Sequence, residues 1–570
     1  MAGQRCYFLL ILFIAVIFTI PWSGKKPFHT KGEPREAITA QAMIESGNWV
    51  LPTRYEDNIA TKPPLLHWMI GVFSLVNGEV TTTTSRLPSA LSYIIAGIAF
   101  FSFLSKRAGN KKAFIATFIL LTTMQWYHGG MAARVDMLLT VFIICSMLEL
   151  FKWEEKELKG IPWLAILCMS LGSLTKGPVG IVLPSMVFLI YLLVRRYSYF
   201  SIFKSLALTT LLSAILPALW YVAAWKIGGD EFLAIVYDEN IARFTSNMKL
   251  GGKHENSNFY MLGTLLSGFI PWSLMAVMAG FAHISKIRMP KADFLNKCGN
   301  SIMNMDKYRQ YSFIASVSII FFYAIPESKR GVYLMPAYPF ICVFVTELII
   351  YIIENKPGIW RFFSNFIGYL IILFSLVITA FTLGWDPSLK FLPDNIRPDV
   401  LFYTGIMQNI YSGPGTVINI LITLVFFTSV IIWKLRTKII SDIIPGTPFF
   451  VMIFGVILYM SAVFQPRIGD FLSVKELAER IKTDNTNQTE LYSYGRDCFV
   501  MSFYLNERFT GFEPSVHKEG ILIIGEKELA GLEEQTKETH TYHILEKSLY
   551  PYTDIRQTIC VVEFKQIDSI

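Results

Sequence analysis

The sequence carries little charge for its length. Of its 570 residues only 16% are Asp, Glu, Lys or Arg, against about 25% in an average soluble domain, while 53% are hydrophobic. One soluble globular core cannot bury so much apolar surface. Apolar runs of about 20 residues, long enough to cross a hydrocarbon layer, recur along the chain. These observations exclude an ordinary soluble protein and indicate that lipid surrounds the first four fifths of the sequence.

Organised cysteine and periodic repeats are also lacking. The seven cysteines are scattered without a CxxC pair or ligand spacing, so neither a zinc site nor a disulfide framework is indicated. Neither an internal repeat of fixed period nor a low-complexity tract occurs, which leaves a solenoid or an inverted-repeat transporter without direct support. The formal net charge is +8, but the basic residues form short clusters between apolar runs. This pattern orients membrane proteins, and nucleic acid is not an expected partner.

The apolar runs predict a mostly α-helical, polytopic transmembrane bundle of about thirteen spans within residues 1–464. The predicted spans are 7–22, 86–105, 112–130, 135–152, 161–175, 178–195, 203–225, 259–282, 311–325, 331–353, 361–384, 415–435 and 446–464. The first has no good cleavage site behind it and is expected to remain as a helix. With a cytoplasmic amino terminus, the basic clusters all fall on the cytoplasmic side.

Two segments on the outer side differ from simple connectors. Residues 23–85 form a long, polar first outer loop in which interfacial helices are predicted, one of them between Pro34 and Gly47, which lie where helix caps are expected. After residue 464, a charged helix-like run at 474–481 is followed by β-rich runs. The tail, residues 465–570, is therefore predicted to be a small extracytoplasmic α/β domain, and it contains no catalytic motif.

Several charged side chains are expected on this outer side. Glu33 and Arg35 lie near the positive end of the predicted interfacial helix, where a lipid-linked phosphate is favoured. With equal weight, Glu33 caps the helix and Arg35 binds lipid headgroups. Lys62 precedes a double proline and suits phosphate binding, although a snorkelling interfacial lysine is the commoner case.

Arg134 and Asp136 lie where the third predicted span hands over to the fourth, and Lys176 interrupts two apolar spans on the same side. An ionisable residue at membrane depth indicates function by default, and a structural salt bridge of Asp136 with an arginine is the rival interpretation. Cations gathered against a few carboxylates suit the departure of a phosphate leaving group with a general base on the acceptor. A transporter would bury similar charges nearer the membrane midplane.

With these residues in this order, roughly residues 5–465 resemble the membrane glycosyltransferases of the C-type superfamily. The nearest group contains the lipid A aminoarabinose transferases and the protein O-mannosyltransferases, including dolichyl-phosphate-mannose-dependent enzymes. The matching elements are residues 32–35 (Gly-Glu-Pro-Arg), 47–52, 62–64, Asp136, 174–178 (Leu-Thr-Lys-Gly-Pro), 239–244 (Glu-Asn-Ile-Ala-Arg-Phe), 254–256 and 328–336. Two positions depart from the family pattern: Gly32 replaces a first-loop aspartate, and Thr61 replaces a glutamate before the Lys-Pro pair.

The resemblance implies an inverting transfer from a polyprenyl-phosphate sugar. By position, the donor phosphate is bound by Lys62, Arg243 and Tyr333, with Arg35 in support, and Lys176 is a further candidate cation. Because Gly32 replaces the family's usual base, the carboxylate is expected to be Glu33 or Asp136. Because of Thr61, no metal ligand is predicted and no cofactor is certain, although relatives leave a divalent cation open.

The same resemblance implies a bacterial inner-membrane protein with a cytoplasmic amino terminus and a periplasmic tail domain. Its expected partners are the lipid-linked sugar donor, membrane lipids, and an acceptor that is lipid A, another glycan or a protein; the donor sugar is open. Two alternatives also stay open: a lipid flippase or transporter, and an inactive scaffold of the same fold, which the loss of the aspartate at Gly32 makes conceivable.

Overall fold

The computed structural model describes residues 2–54, 58–239, 257, 259–284, 302–326, 328–385, 397–408, 410, 416–435, 446–484, 489–495, 498–548, 551–552 and 557–567. The described α-helices are α1 Ala2–Thr19, α2 Gly32–Ser46, α3 Leu65–Ser74, α4 Thr82–Ala108, α5 Asn110–Thr122, α6 Met124–Gly130, α7 Val135–Glu155, α8 Trp163–Lys176, α9 Val179–Val194, α10 Tyr199–Tyr237, α11 Tyr260–Gly268, α12 Trp272–Ile284, α13 Lys307–Ala324, α14 Tyr338–Asn355, α15 Pro357–Thr382, α16 Arg397–Gln408, α17 Thr416–Lys434, α18 Thr447–Tyr459, α19 Gln465–Leu472, α20 Lys475–Asp484, α21 Phe499–Leu505 and α22 Glu526–Gln535. The described strands are β1 Thr53–Arg54, β2 Asn58–Ile59, β3 Leu491–Ser493, β4 Thr510–Gly511, β5 Glu519–Gly525, β6 His540–Lys547 and β7 Ile559–Gln566.

The described part of the chain is a multi-pass helical membrane protein. It contains 7 helices long and apolar enough to cross a membrane, or up to 9 if each of two bent helix pairs is one span. Three shorter apolar helices, α3, α8 and α9, pack among them. The polytopic helical class is thus confirmed, whereas the number of thirteen spans stays a prediction.

One of the bent pairs shapes the centre of the molecule. Helices α6 and α7 meet at an angle of 109° across residues 131–134, and this break puts Arg134 at the N-cap of α7 and Asp136 in its first turn. Broken helices at membrane depth are tolerated where the freed polar groups are buried in protein or line a cavity. The break therefore provides a polar position inside an otherwise apolar bundle.

The first outer loop contains the predicted helix. Helix α2 ends at Gly47, whose left-handed backbone (φ 69°) closes the helix as the cap pattern predicts. The two-residue strands β1 and β2 pair antiparallel after it, and the apolar helix α3, which was not predicted, follows. The chain between α2 and α3 is anchored on α10, because the Trp220 indole donates a hydrogen bond to the Val50 carbonyl oxygen at 2.7 Å.

The tail forms the predicted small α/β unit. Its charged run becomes α20, and its β-rich runs become strands of a five-stranded mixed sheet in the order β4-β3-β5-β7-β6. The residues before and within this unit bind the start of the first outer loop. The Phe28 amide donates to the Tyr504 hydroxyl at 2.8 Å, and the Ser473 hydroxyl donates to the Phe28 carbonyl oxygen at 2.5 Å.

Candidate active site

A cavity of about 330 Å³ lies where the first outer loop meets the ends of several helices. Its polar lining includes two lysines, a glutamate and a tyrosine, namely Lys62, Lys176, Glu239 and Tyr333. Most other lining residues are apolar or aromatic and come from α9, α10 and the end of α13: Val179, Val182, Trp220, Tyr221, Phe232, Ile235, Val236, Phe322 and Tyr323. The cavity therefore combines a few charged groups with mostly apolar walls.

In the lining of the cavity, Lys62 is paired with Glu239. The ammonium of Lys62 donates to the Glu239 carboxylate, and the two side chains are only 16% and 13% exposed. Lys62 reaches it from the loop before α3, where Pro63 and Pro64 restrict the backbone. Glu239 comes from just beyond α10. Its segment was matched to the family pattern, but no role was predicted for it.

Lys176 is paired in the same way with Asp136. The Lys176 Nζ lies 2.5 Å from the Asp136 Oδ1, and the side chains are 13% and 14% exposed. The same Nζ lies 4.3 Å from the centroid of the Tyr333 ring, a cation–π distance. Three of the predicted site residues, Asp136, Lys176 and Tyr333, therefore lie together. They come from the first turn of α7, the end of α8 and the 3₁₀ helix at Gly331–Ala337.

Arg35 is held by a buried carboxylate beside the cavity. Glu36, 7% exposed, accepts from Arg35 Nη2 at 2.8 Å and contacts His67 Nε2 at 2.8 Å. Burial alone would raise the pKa of Glu36, but the charges and hydrogen bonds of Arg35 and His67 hold it far below its ordinary value. A small polar pocket that Arg35, His67 and Lys62 line adjoins the main cavity. Sequence reasoning missed both Glu36 and His67.

Glu33 lies in a different environment. It is 6% exposed, and both its oxygens accept from Arg86, at 2.8 and 3.1 Å, while Oε1 also accepts from the Ala133 amide at 2.9 Å. Burial raises the pKa of Glu33, but Arg86 outweighs burial and lowers it to about 2. These contacts join α2 to α4 and to the break before α7, and Glu33 is not among the residues that line the cavity. Arg86, buried in a predicted span, was the signal that sequence reasoning did not use.

Two further predictions concern Arg243 and a metal ion. Arg243, a predicted phosphate ligand, lies outside the described residues. Among the residues that the structure describes, no group of three or more His, Cys, Asp or Glu lies close enough to hold a metal ion. The carboxylates of Asp136 and Glu239 each hold a lysine instead, an arrangement that does not favour a divalent cation, which takes several oxygen ligands.

A helical membrane bundle with lysines and carboxylates gathered near residues 23–85 agrees with what the motifs predict for a C-type membrane glycosyltransferase. Comparison with known proteins confirms that resemblance. Residues 61–221 match the family model described as dolichyl-phosphate-mannose-protein mannosyltransferase. The chain therefore resembles the group of membrane glycosyltransferases that includes these enzymes and the aminoarabinose transferases.

Individual relatives agree with the family match. An uncharacterised protein of Aquifex aeolicus is 23% identical over 90% of both chains. An undecaprenyl phosphate-alpha-4-amino-4-deoxy-L-arabinose arabinosyl transferase of Shewanella sediminis is 22% identical, and the alignment covers 60% of each chain. A Proteus mirabilis protein, named undecaprenyl phosphate-alpha-4-amino-4-deoxy-L-arabinose arabinosyl transferase 2, is 24% identical. The alignment covers 46% of this chain and 48% of that protein.

Solved structures show the same fold over nearly the whole chain. ArnT from Cupriavidus metallidurans in the apo state superposes with a TM-score of 0.70 at 16% identity, covering 98% of both chains. The same protein bound to undecaprenyl phosphate gives a TM-score of 0.68 and covers 97% of both. At this identity the similarity establishes the fold alone.

Proposed function

We propose that this protein transfers a sugar from a polyprenyl-phosphate carrier to an acceptor of the cell envelope. The observation that carries the proposal is the cavity itself, whose lining combines two lysines, a glutamate and a tyrosine with mostly apolar walls. A lipid-linked phosphate has the same two-part chemistry, a compact anion attached to an apolar chain. The relatives named as undecaprenyl-phosphate arabinosyl transferases support this class of donor.

In this proposal, the donor phosphate binds to the polar side chains that line the cavity. Lys62, Lys176 and Tyr333 are its ligands there, with Arg35 reaching in through the adjoining pocket and Arg243 kept from the family pattern. Since each lysine already holds a carboxylate, the phosphate must displace Glu239 and Asp136 from them. Binding the donor therefore releases a carboxylate beside the reacting bond.

The reaction then follows as one displacement. An acceptor hydroxyl oxygen attacks the anomeric carbon, the bond from that carbon to the phosphate oxygen breaks with inversion, and the phosphate leaves with the bonding electrons. Asp136 takes the acceptor proton, while the lysines neutralise the leaving phosphate. We favour Asp136 over Glu33 because the oxygens of Glu33 are occupied by Arg86 and by the Ala133 amide.

The finer assignments belong to the same proposal. We place the chain in the bacterial inner membrane with about thirteen spans, a cytoplasmic amino terminus and a periplasmic tail domain, because this orientation puts its basic clusters in the cytoplasm. The cavity and the first outer loop would then face the periplasm. Lipid A, another glycan and a protein are all admitted as acceptors, and the donor sugar is a pentose or a hexose.

The test is the release of free polyprenyl phosphate by the purified full chain, supplied with a panel of polyprenyl-phosphate sugars and envelope extract. We expect release with one sugar, and loss of release in Lys62→Ala. The matched control is Arg107→Gln, which breaks an ion pair between the last turn of α4 and Glu155. This variant should release polyprenyl phosphate as the wild type does. A folded wild-type protein that releases nothing from any donor would refute the proposal.

A further inference from the structure

Arg134 stands out among the cations around the α6–α7 break. Four neighbouring cations each hold a carboxylate: Arg35 with Glu36, Lys62 with Glu239, Arg86 with Glu33 and Lys176 with Asp136. Within the described chain, the guanidinium of Arg134 has neither an ion-pair nor a hydrogen-bond partner, although the residue is partly buried. A partly buried guanidinium that has lost water without gaining a hydrogen-bond acceptor is unfavourable.

Gly32 provides the space in which this guanidinium lies. A Cβ built on Gly32 would come within 2.5 Å of Arg134 Nη2 and 3.0 Å of Arg134 Cζ. Gly32 is not one of the glycines with positive φ, so its backbone does not require glycine. A side chain at this position would instead push the guanidinium of Arg134 from where it lies.

The location of Arg134 connects it to the cavity. It is the N-cap residue of α7, two positions before Asp136, and it lies close enough to interact electrostatically with that carboxylate. Asp136 in turn holds Lys176, which lines the cavity. Arg134 is thus connected to the cavity through Asp136 and Lys176, although it is not itself among the lining residues. A planar guanidinium with several donors matches the geometry of a phosphate group, to which it can bind through two parallel hydrogen bonds.

We infer that Arg134, whose guanidinium lies against Gly32, binds a phosphate oxygen of a substrate. The inference rests on the proposed function, and it adds a residue and a reason for the glycine to that site. The phosphate belongs either to the lipid-linked donor or to the acceptor. The chemistry is the same in both cases, and the experiment separates them.

The first measurement is the binding of undecaprenyl phosphate to the purified full chain by native mass spectrometry. Charge-assisted hydrogen bonds of this kind correspond to about a tenfold or larger change in affinity, which is the weakening expected for Arg134→Gln. Gly32→Ala should weaken binding similarly, because its methyl group displaces the guanidinium without changing the charge. Arg134→Lys should retain part of the affinity. Arg107→Gln again serves as the control for loss of an arginine.

The second measurement is transfer to lipid A and to phosphatase-treated lipid A. If Arg134→Gln leaves undecaprenyl phosphate binding intact but raises KM for the phosphorylated acceptor alone, the acceptor supplies the phosphate and the inference holds. If neither donor binding nor acceptor KM changes in correctly folded Arg134→Gln and Gly32→Ala proteins, the inference is wrong while the proposed function stands. A wild-type protein that neither binds undecaprenyl phosphate nor releases it from any donor would refute the proposed function instead.

Discussion

The pairing of Lys176 with Asp136 leads to a prediction in which binding and turnover change in opposite directions. Asp136 pairs with Lys176, one of the cations that the proposed function assigns to the donor phosphate. Asp136→Asn removes the competing negative charge and leaves a side chain of nearly the same shape. We therefore expect the variant to bind undecaprenyl phosphate more tightly than wild type and to transfer sugar more slowly.

The magnitudes follow from the geometry. The pair is 2.5 Å apart and each side chain is less than 15% exposed, at 13% and 14%, so solvent screens it little. A hydrogen bond between charged groups contributes about 1.5–3 kcal/mol, and losing this competitor corresponds to binding about tenfold to a hundredfold tighter. Loss of a general base typically costs about 10²–10⁴ in rate.

Both quantities can be measured on one preparation, by native mass spectrometry for affinity and by release of polyprenyl phosphate for turnover. Glu149→Gln is the matched control, since Glu149 lies on the same helix α7 and pairs with Lys152 away from the cavity. Weaker donor binding in Asp136→Asn, or unchanged turnover, would refute the reasoning that Asp136 competes for Lys176 and then accepts the proton.

Three further predictions concern neighbouring groups. Glu36→Gln should raise the KM for the donor about tenfold with a smaller change in kcat, because Arg35 loses its buried partner while the cavity lysines stay paired; steady-state kinetics test this. Glu33→Gln should cost about 3–5 kcal/mol, since it leaves Arg86 buried without its counter-charge, and should lower the melting temperature in detergent. The folded-state pKa of Glu33 is depressed to about 2 from 4.5, so its stabilisation is present above pH 4.5 and is lost as the pH falls toward 2; the variant should lack this acid-side loss in thermal scans. Tyr504→Phe should remove about 1 kcal/mol by freeing the Phe28 amide, and faster proteolysis of the first outer loop would report it, whereas unchanged cleavage would contradict a role in holding that loop.

The features that were predictable from the sequence depend on residues that are close together in the chain. Apolar runs predicted most spans, and Pro34 with Gly47 predicted helix α2, because capping depends on neighbouring residues. The tail strands β5 and β7 were visible as short β-rich runs. Helix α3 was missed because its apolar run of 10 residues is too short to read as a span and lies within a polar loop.

The pairing of the charges was not predictable in the same way. Lys62 and Glu239 are 177 positions apart, and Glu33 and Arg86 are 53 apart, so only the packing of the helices decides which partners meet. The sequence indicated that Asp136 and Lys176 lie on the same side but not that they touch. It also showed the loss of the aspartate at Gly32 without showing that Arg134 fills the space.

The lysine–carboxylate pairs of the cavity bear on how the protein would discriminate among membrane lipids. Phospholipids outnumber any lipid-linked sugar by a wide margin, and each carries a phosphate that an open cationic pocket would attract. Because Lys62 and Lys176 already hold Glu239 and Asp136, an incoming phosphate must first break two ion pairs, and only a ligand that also fills the apolar walls offsets that cost. Under the proposed function, these internal pairs would therefore disfavour bulk phospholipid and favour a donor that also fills the apolar walls.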